Sequence, residues 1–442
     1  MKKITALNIE MRNFTLIWLG QLVSLIGTWM TAFSLDIWVF QKTGSATQFA
    51  LVTLTSTLPL VLISPLAGTL IDRWNRRWII IISDFCIGLC TLSLAILITT
   101  GQLQIWHIYL ANTLISIFGG FQNPAYKAFI TSLVPPEELP RVSGMVQLAL
   151  SIQQIASPLL AGILLATIDL RGILLIDVGT VIIALVPLLL LKLVEVTKSH
   201  HETEKLSILQ ETAYGWNYLK ERSGLLAFLI LFTIYQFLVG CVFILAYPLV
   251  LSLTTPSRLG MIIFIGGLGM LVGALVMSTW GNNWKNLINL VLGAMLLSGL
   301  WIVIAGLRPS IVQITIATVL FFLCSPIING LTQVIFQKKV APQVQGRVFA
   351  LTGAISGAAV PAAAIIAAPL ADNILEPLMA FDGPWSDNII GQMIGSGPGR
   401  GIALLFISMG LLTLIVTLIG YQYPAIRKLE ENSPDFEYSP IK

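Results

Sequence analysis

Apolar residues run in long stretches along this chain, separated by short groups of polar residues, proline or glycine. A helix needs about 20 apolar residues to cross the roughly 30 Å hydrocarbon core of a bilayer, and twelve stretches meet that length. The longest polar segment between them covers residues 193–223, so six stretches precede it and six follow it. The predicted spans are 14–40, 47–71, 78–100, 104–130, 143–168, 172–192, 225–253, 259–280, 286–307, 310–337, 348–371 and 400–421.

Composition supports lipid as the solvent of this chain. Of its 442 residues 56% are hydrophobic and only 10% are charged, with a mean hydropathy of +0.87. Soluble domains carry about 25% charged residues because their surface faces water. The net charge is only +4, and the sequence contains no dense block of Lys and Arg. We therefore expect no nucleic-acid partner. The pattern predicts an all-α membrane protein.

The distribution of basic residues predicts the orientation of the spans. With the N-terminus inside, 20 of the 25 Lys and Arg residues fall on inner segments and 5 on outer segments. Positive charge is retained on the cytoplasmic side of membrane proteins. We therefore expect a multi-pass protein of the cell membrane with cytoplasmic N- and C-termini.

An internal repeat appears at an offset of 206 residues. Residues 134–142 read VPPEELPRV, and residues 340–348 read VAPQVQGRV. At the same offset Asn123 corresponds to Asn329. Because six spans separate the two copies, both lie on one side of the membrane, as in transporters made of two similar halves. The alternative is a chance similarity between two proline-bearing connections.

Taken together, the spans and the repeat predict two pseudo-symmetric six-helix bundles with twelve transmembrane helices. The predicted domains are an N-terminal bundle at 1–192, a cytoplasmic linker at 193–223 and a C-terminal bundle with a cytoplasmic tail at 224–442.

Metal and enzyme chemistry have little support in the sequence. The four cysteines lie inside apolar runs, and the three histidines form no cluster with them. Paired acids, a Ser/His arrangement or a metal cluster at membrane depth would indicate an enzyme, and none is found. We therefore expect no metal, no cofactor and no enzymatic activity.

A charged motif in the link between spans two and three is the most specific short signal. Its glycine allows close helix approach, its aspartate can pair with a cation or cap a helix, and its arginines bind carboxylates. Such a group could latch an inner gate, whereas the alternative is an ordinary charged loop that obeys only topology. The candidate inner-gate residues are Gly68, Asp72, Arg73, Arg76 and Arg77, with Asp84 in span three.

These residues resemble the loop signature of the major facilitator superfamily, approximately G-x-x-x-D-R/K-x-G-R-R/K. The chain departs from it at Asn75, where the family has Gly, although Asn tolerates left-handed backbone angles. The resemblance covers the whole chain and implies a secondary transporter that works by alternating access. Segments 123–125, 346–349 and 397–401 further resemble the macrolide-efflux-like group of drug/proton antiporters.

Span five partly matches the glycine-rich signature of efflux members, G-x8-G-x3-G-P-x2-G-G. Gly144, Pro158 and Gly162 match it, while Ser157 and Ala161 are small replacements. A glutamine at position 153 does not fit the pattern. The match favours export over import.

Polar residues also form stripes within the spans, at steps of three and four that place each set on one helix face. They could line a substrate path through a mostly apolar cavity. The alternative is interhelical hydrogen bonding worth about 0.6 kcal/mol per bond. The candidate lining residues are Gln21, Asn123, Gln147, Ser151, Gln154, Asn329 and Gln333.

Three carboxylates lie within or near the spans. Asp36 is the candidate proton-coupling residue, although it falls about 100° from the centre of the polar face of span one. Asp84 is expected to pair with the charged loop. Asp177, near the outer end of span six and close to Arg171, is expected to be structural.

The sequence therefore predicts an exporter of amphipathic small molecules, such as drugs, macrolides or secondary metabolites, driven by proton antiport. Its expected partners are a small-molecule substrate, protons and the lipid bilayer, and it is expected to be a monomer. One alternative is an importer or a lipid or metabolite permease on the same fold. Another, from a different class, is a membrane sensor or enzyme without transport.

Overall fold

The computed structural model describes residues 2–71, 74–135, 138–190, 208–280, 286–341 and 344–432. These residues form helices joined by short connections, and no strand occurs among them. In hydrocarbon each backbone N–H and C=O must find its partner inside the segment, and a helix does this for nearly all of them. The first six helices are α1 (Lys2–Thr43), α2 (Ala46–Ile71), α3 (Arg76–Thr99), α4 (Ile105–Leu133), α5 (Leu139–Thr167) and α6 (Asp169–Leu190).

The second half of the chain contains more helices because several are short. Its long helices are α8 (Ser223–Leu251), α9 (Pro256–Trp280), α10 (Leu287–Leu307), α11 (Ile311–Lys339) and α16 (Arg400–Gln422). The shorter ones are α7 (Ile208–Lys220), α12 (Gln345–Gly357), α13 (Ala359–Leu370), α14 (Glu376–Met379), α15 (Ile389–Ile394), α17 (Pro424–Arg427) and α18 (Leu429–Asn432).

Contacts divide the chain into two compact units. The first unit holds residues 1–201 and 255–264, and the second holds 202–254 and 265–442. The beginning of α9 thus belongs to the first unit, and α7 belongs to the second.

Eleven helical segments of the described chain are long and apolar enough to cross a membrane. One of them runs from Gln345 to Met379 through several consecutive helices. α4 is not among the eleven, because it carries several polar side chains, although its 29 residues exceed the length that a bilayer requires.

The structure departs from the expected elements in two places. The polar segment 193–223 contains α7, whose Tyr218 hydroxyl accepts a hydrogen bond from the Ala341 amide. The eleventh span was predicted to end at 371, but it continues through a π-helical segment (Ala371–Leu375) into α14. The carboxylate of Glu376 then accepts hydrogen bonds from the amides of Gly399 and Ile402, at the start of α16. A region expected to be a loop therefore caps a helix at its positive end.

The internal repeat is visible in the backbone. α4 and α11 both contain 29 residues, and both their first and last residues are separated by 206 positions. After α4, the Glu138 amide donates to the Pro135 carbonyl, and at the same offset the Val344 amide donates to the Ala341 carbonyl, both at 3.0 Å. The described residues of the two motifs therefore share this hydrogen bond.

In the first unit α1 lies at the centre and packs against α2, α4, α5 and α6, while α3 packs against α4 and α6. One apolar cluster joins the C-terminal half of α1 to α2, α3, α4 and α6 around Leu35, Leu94 and Leu174. A second lies around Ile17, Ile80 and Leu188. The polar groups described below lie on helix positions between these two clusters.

In the second unit α10 packs closely on α16 through glycines. A Cβ atom added at Gly306 would lie 2.6 Å from the Ala403 carbonyl oxygen, a backbone atom that cannot rotate away. On the same helix, a Cβ atom at Gly293 would meet nothing within 4 Å.

Gly306→Ala is therefore expected to destabilise the protein by about 1–3 kcal/mol through overpacking. Gly293→Ala is the matched control, and it is expected to leave stability unchanged or raise it, because Gly costs about 0.5–1 kcal/mol in a helix interior. Thermal unfolding of the two purified variants measures the difference. Equal melting temperatures would contradict the close approach of α10 and α16.

Candidate functional site

A buried carboxylate at the centre of the first unit is held by two glutamines. The Gln21 amide of α1 donates to Asp84 Oδ2 of α3 at 2.7 Å. The Gln122 amide of α4 donates to Asp84 Oδ1 at 3.1 Å and to Gln21 Oε1 at 3.1 Å. Asp84 is only 5% exposed. The three side chains form a closed ring, named here the Asp84 ring, which joins three helices at one level.

The Asp84 ring differs from the pairing expected for Asp84. The hydrogen bonds to Asp84 come from the neutral side-chain amides of Gln21 on α1 and Gln122 on α4. The sequence predicted instead that Asp84 pairs with the charged loop before α3. A buried carboxylate is stabilised by donors that point at both of its oxygens, and neutral amides can supply them. The structure thus joins a candidate lining residue, Gln21, to a candidate gate residue. Asp72 and Arg73 lie outside the described residues, so a pairing of Asp84 with Arg73 and a gate role of Asp72 stay predictions.

A second buried carboxylate, Asp177 of α6, lies among threonines. Its oxygens accept hydrogen bonds from Thr28 of α1 at 3.2 Å and from Thr91 of α3 at 3.2 Å. Asp177 is 0% exposed, and its described partners are hydroxyl groups rather than Arg171, which is exposed. The expected structural role of Asp177 stays a prediction. Thr28 and Thr91 each follow a member of the Asp84 ring by seven residues, so the two carboxylates lie about 10 Å apart along the helices.

In the described part of the inner-gate motif, two arginines at the start of α3 donate hydrogen bonds to α4 and α6. Gly68 lies in α2, and Asn75 is the residue that caps α3, its side chain accepting a hydrogen bond from the Arg77 amide. Asn75 has an extended backbone with φ −68°. The position therefore does not require the left-handed backbone angles that Gly and Asn tolerate. Arg76 donates to the Ala128 carbonyl of α4 at 2.9 Å. Its role in a gate stays a prediction.

Arg77 binds the C-terminal end of α6. Its Nε donates to the Leu188 carbonyl at 2.8 Å and its Nη2 to the Leu189 carbonyl at 3.2 Å. The last carbonyls of a helix have no partner within the helix and carry partial negative charge, which a guanidinium group satisfies with two parallel donors.

Arg77→Ala is expected to lower stability by roughly 1–3 kcal/mol, because two helix carbonyls lose a charged donor, and to slow transport. Arg141→Ala is the matched control, since Arg141 is exposed and its ion pair with Glu138 is 3.6 Å long, and it is expected to change stability by less than about 1 kcal/mol. Melting temperature and transport rate of both variants provide the comparison. A normal melting temperature and a normal transport rate for Arg77→Ala would show that this arginine does not stabilise the packing of α3 against α6.

Asp36, the candidate proton-coupling residue, lies in α1 and its side chain is half-buried. Its neighbours in the sequence, Leu35 and Ile37, are fully buried. No hydrogen bond or ion pair to its carboxylate is present among the described residues. Its charge is therefore not fixed by a partner, unlike the charge of Asp84.

Most candidate lining residues are exposed on their helices. Asn123 and Asn329, which correspond in the repeat, each donate to the carbonyl four residues earlier in their own helix, at 3.1 and 2.9 Å. Ser151 is half-buried and donates to the Gln147 carbonyl, whereas Gln21 is buried in the Asp84 ring. The exposed candidates are Asn123, Gln147, Gln154, Asn329 and Gln333. Their contact with cargo stays a prediction.

The small residues of span five lie where α5 meets two other segments of the first unit. The Ser157 hydroxyl donates to the Ile26 carbonyl of α1 at 3.2 Å. The Ser257 hydroxyl, at the start of α9, donates to the Gly162 carbonyl at 2.7 Å. The residues that resemble the efflux signature therefore allow close packing.

An apolar groove of about 460 Å³ lies beside the gate motif, between α3 and α4. It is lined by Trp74, Asn75, Trp78, Ile79, Ile82, Ser83, Phe118 and Phe121. A lining of this kind suits an apolar group and offers few hydrogen bonds to a hydrophilic one.

Comparisons with known proteins identify the family. The family model described as Major Facilitator Superfamily matches residues 17–364. The chain belongs to the Major Facilitator Superfamily. Macrolide efflux protein A of Streptococcus pyogenes is 30% identical over 370 residues, which cover 82% of this chain and 90% of that protein. Multidrug efflux pump Tap of Mycobacterium tuberculosis is 21% identical over 402 residues, covering 89% of this chain and 88% of that protein.

Solved structures show the same fold. A bacterial homologue of the human lysosomal transporter Spinster, in an inward-facing and unoccupied conformation, matches with a TM-score of 0.70 at 13% identity, covering 98% of this chain and 99% of that one. The twelve-helix fold with two pseudo-symmetric halves is thus confirmed, α4 being the twelfth long helix. This member of the Major Facilitator Superfamily is a multi-pass membrane transporter rather than an enzyme, and it resembles efflux proteins.

Sequence reasoning missed Gln122 and Thr91 as partners of the buried carboxylates. It also missed Thr28 as a partner of Asp177. The seven-residue spacings that separate Gln21 from Thr28 and Asp84 from Thr91 could have indicated two stacked levels, since seven residues are nearly two helical turns.

Proposed function

We propose that this transporter exports amphipathic small molecules, macrolides among them, by proton antiport with alternating access. The observation that carries the proposal is the 30% identity to Macrolide efflux protein A over 90% of that protein. The lower similarity to Multidrug efflux pump Tap supports a lipophilic cargo class. The 10% charged residues also suit neutral or cationic lipophilic cargo better than phosphates or sugars.

The exposed polar residues on α5 and α11 support a path for cargo. Gln147 and Gln154 are exposed on α5, and Asn329 and Gln333 are exposed on α11. Hydrocarbon offers no hydrogen bonds, so polar side chains in membrane helices face water, protein or cargo. These residues thus supply hydrogen bonds to an amphipathic molecule that crosses the membrane.

The buried acids of the first half support coupling to protons there. The described spans of the second half contain two acids, Asp372 and Glu376, both near the end of the eleventh span, and Glu376 caps α16. Asp36 remains the candidate coupling residue, because no described partner holds its charge. Alternating access would then move the domains 1–192 and 224–442 relative to each other, with the charged motif before α3 acting as an inner latch.

The proposed setting follows from the basic residues. With 20 of 25 Lys and Arg on one side, the protein lies in the cell membrane with both termini in the cytoplasm. It acts as a monomer, since each chain supplies both halves. Fusion of a reporter to each end is expected to place both reporters inside, and opposite locations would contradict the topology.

A transport assay tests the function. Cells that express the protein are expected to accumulate less radiolabelled macrolide than cells with an empty vector, and a protonophore is expected to abolish the difference. Proteoliposomes with an imposed pH gradient then separate an antiporter, which moves protons opposite to cargo, from an importer or a lipid permease. Equal accumulation of macrolides and lipophilic cations with and without the protein would exclude this cargo class.

A further inference from the structure

The carboxylate of Asp177 lies in a buried pocket lined by hydroxyl groups. The pocket joins α1, α3 and α6 and is named here the threonine pocket. It consists of Asp177 and the hydroxyl groups of Thr28, Thr31, Thr91 and Thr180. Asp177 and Thr91 are 0% exposed. No Lys, Arg or His pairs with this carboxylate among the residues that the structure describes, so a full negative charge has no cationic partner inside the bundle.

Not every hydroxyl proton around this carboxylate is free to point at it. A threonine hydroxyl has one proton and two lone pairs. The Thr180 hydroxyl lies 2.7 Å from the Asp177 main-chain carbonyl, a normal hydrogen bond, and 3.4 Å from Asp177 Oδ1. If its proton goes to the closer carbonyl, a lone pair of Thr180 faces the carboxylate oxygen. Two acceptors that face each other are stabilised by a positive charge between them.

The hydroxyl groups of Thr91 and Thr31 also lack a full hydrogen bond to the carboxylate. The Thr91 hydroxyl can donate to the Ile87 carbonyl at 3.4 Å or to Asp177 Oδ2 at 3.2 Å, but not to both at full strength. The Thr31 hydroxyl lies within reach of the Asp177 carboxylate and is 2% exposed, but its alignment falls short of a regular hydrogen bond. An unpaired buried hydroxyl is costly, and an ion that accepts its lone pair would remove that cost.

The spacing of the oxygens favours coordination over hydrogen bonding. Hydroxyl donors normally lie about 2.5–2.7 Å from an ionised carboxylate. The hydroxyl oxygens of Thr28, Thr91 and Thr180 lie 3.2, 3.2 and 3.4 Å from the Asp177 oxygens. Oxygen ligands of a cation with metal–oxygen distances of about 2.3–2.6 Å are separated by about 3.3–3.7 Å at right angles and by slightly less at smaller angles. Na⁺ and Ca²⁺ both have this size.

Charge selects the monovalent ion. A single carboxylate balances one positive charge, whereas Ca²⁺ would leave a net positive charge in the interior of a membrane bundle. The nearest other carboxylates along these helices are Asp36, five residues after Thr31, Asp84, seven residues before Thr91, and Asp169, eight residues before Asp177, which places each more than one helical turn away. Space is limited at Gly27, because an added Cβ atom would lie 2.9 Å from Asp177 Oδ1. The limited space favours a small ion.

We propose that the threonine pocket binds a sodium ion. The ion lies between the Asp177 carboxylate and the hydroxyl lone pairs, and the hydroxyl protons turn toward carbonyls of their own helices. This goes beyond the proposed transport function, in which protons are the coupling ion. It also departs from the expectation of no metal, which rested on cysteine and histidine.

Thermal unfolding of the purified full-length protein tests the site without cargo. In NaCl the melting temperature is expected to rise saturably by several degrees above its value in choline chloride of equal ionic strength. The same rise is expected for Asp382→Asn, which makes the same chemical change at an exposed carboxylate. It is expected to vanish for Asp177→Asn and to need at least tenfold more sodium for Thr91→Val, which replaces one hydroxyl by a methyl group of similar volume.

Binding of radioactive ²²Na⁺ provides a second readout that does not depend on stability. About one ion per chain is expected for the natural sequence, and none for Asp177→Asn. A melting temperature that responds equally to NaCl and choline chloride, with no ²²Na⁺ bound, would overturn the proposal. Stabilisation by low pH alone, independent of sodium, would also overturn it and assign the positive charge to a proton. Failure of macrolide transport would leave both measurements unaffected.

Discussion

Asp84→Asn is expected to lose at least about tenfold in efflux activity and to lower stability by roughly 1–3 kcal/mol. The change replaces a carboxylate oxygen by an NH₂ group, which then faces the amide donor of Gln21 or Gln122. Two donors that face each other in a buried site leave one of them unsatisfied. Because the ring joins α1, α3 and α4, its loss weakens the alignment of three helices. Macrolide accumulation and thermal unfolding measure the two effects.

Asp382→Asn is the matched control, since it makes the same chemical change at an exposed carboxylate, and it is expected to behave like the natural protein. The double variant Asp84→Asn with Gln122→Glu returns a carboxylate to the ring from the α4 side, and we expect it to recover part of the stability and activity. A fully active Asp84→Asn variant, or a double variant worse than both single variants, would show that the ring does not act as a unit.

Asp36→Asn is expected to abolish cargo flux driven by an imposed pH gradient, with a loss of at least about tenfold. Asp36 is half-buried, and no described partner fixes its charge, so access of water decides whether it carries a proton. An asparagine cannot gain or lose that proton. Exchange of labelled for unlabelled cargo without a gradient is expected to persist, because it needs binding and alternating access but no net proton movement. Proteoliposomes allow both measurements.

The control for Asp36→Asn is again Asp382→Asn, for which both fluxes are expected to be normal. A pH response that is unaltered in Asp36→Asn would exclude this residue as the coupling group. Loss of both the driven flux and the exchange would indicate a defect in binding or folding, and would equally contradict a role confined to coupling.

The membrane spans could be predicted well because their signal is local. A run of apolar residues long enough to cross hydrocarbon forms a helix wherever it lies in the chain, so most predicted ends fall within a few residues of the observed ones. The repeat at 206 residues could also be read directly, and it recurs in α4 and α11. The continuation of the eleventh span to Met379 was missed, because its acidic residues and prolines resemble a loop.

The roles of the acids could be predicted only in part. Sequence reasoning identified Asp84 and Asp177 as costly residues for a membrane span and therefore as residues that need partners. It paired Asp84 with the charged loop before α3 and expected a structural role for Asp177. The observed partners are neutral side chains of the same polar character as many others in the chain, so composition could not single them out.

The number of spans and the family can be read from the sequence alone, because hydrophobic length and short motifs are properties of consecutive residues. Which polar side chains contact each other becomes visible only in the folded structure. Gln21 lies 63 positions from Asp84, and Thr28 lies 149 positions from Asp177. Contacts over such separations depend on how whole helices rotate and pack, and glycines such as Gly27 set how closely they approach.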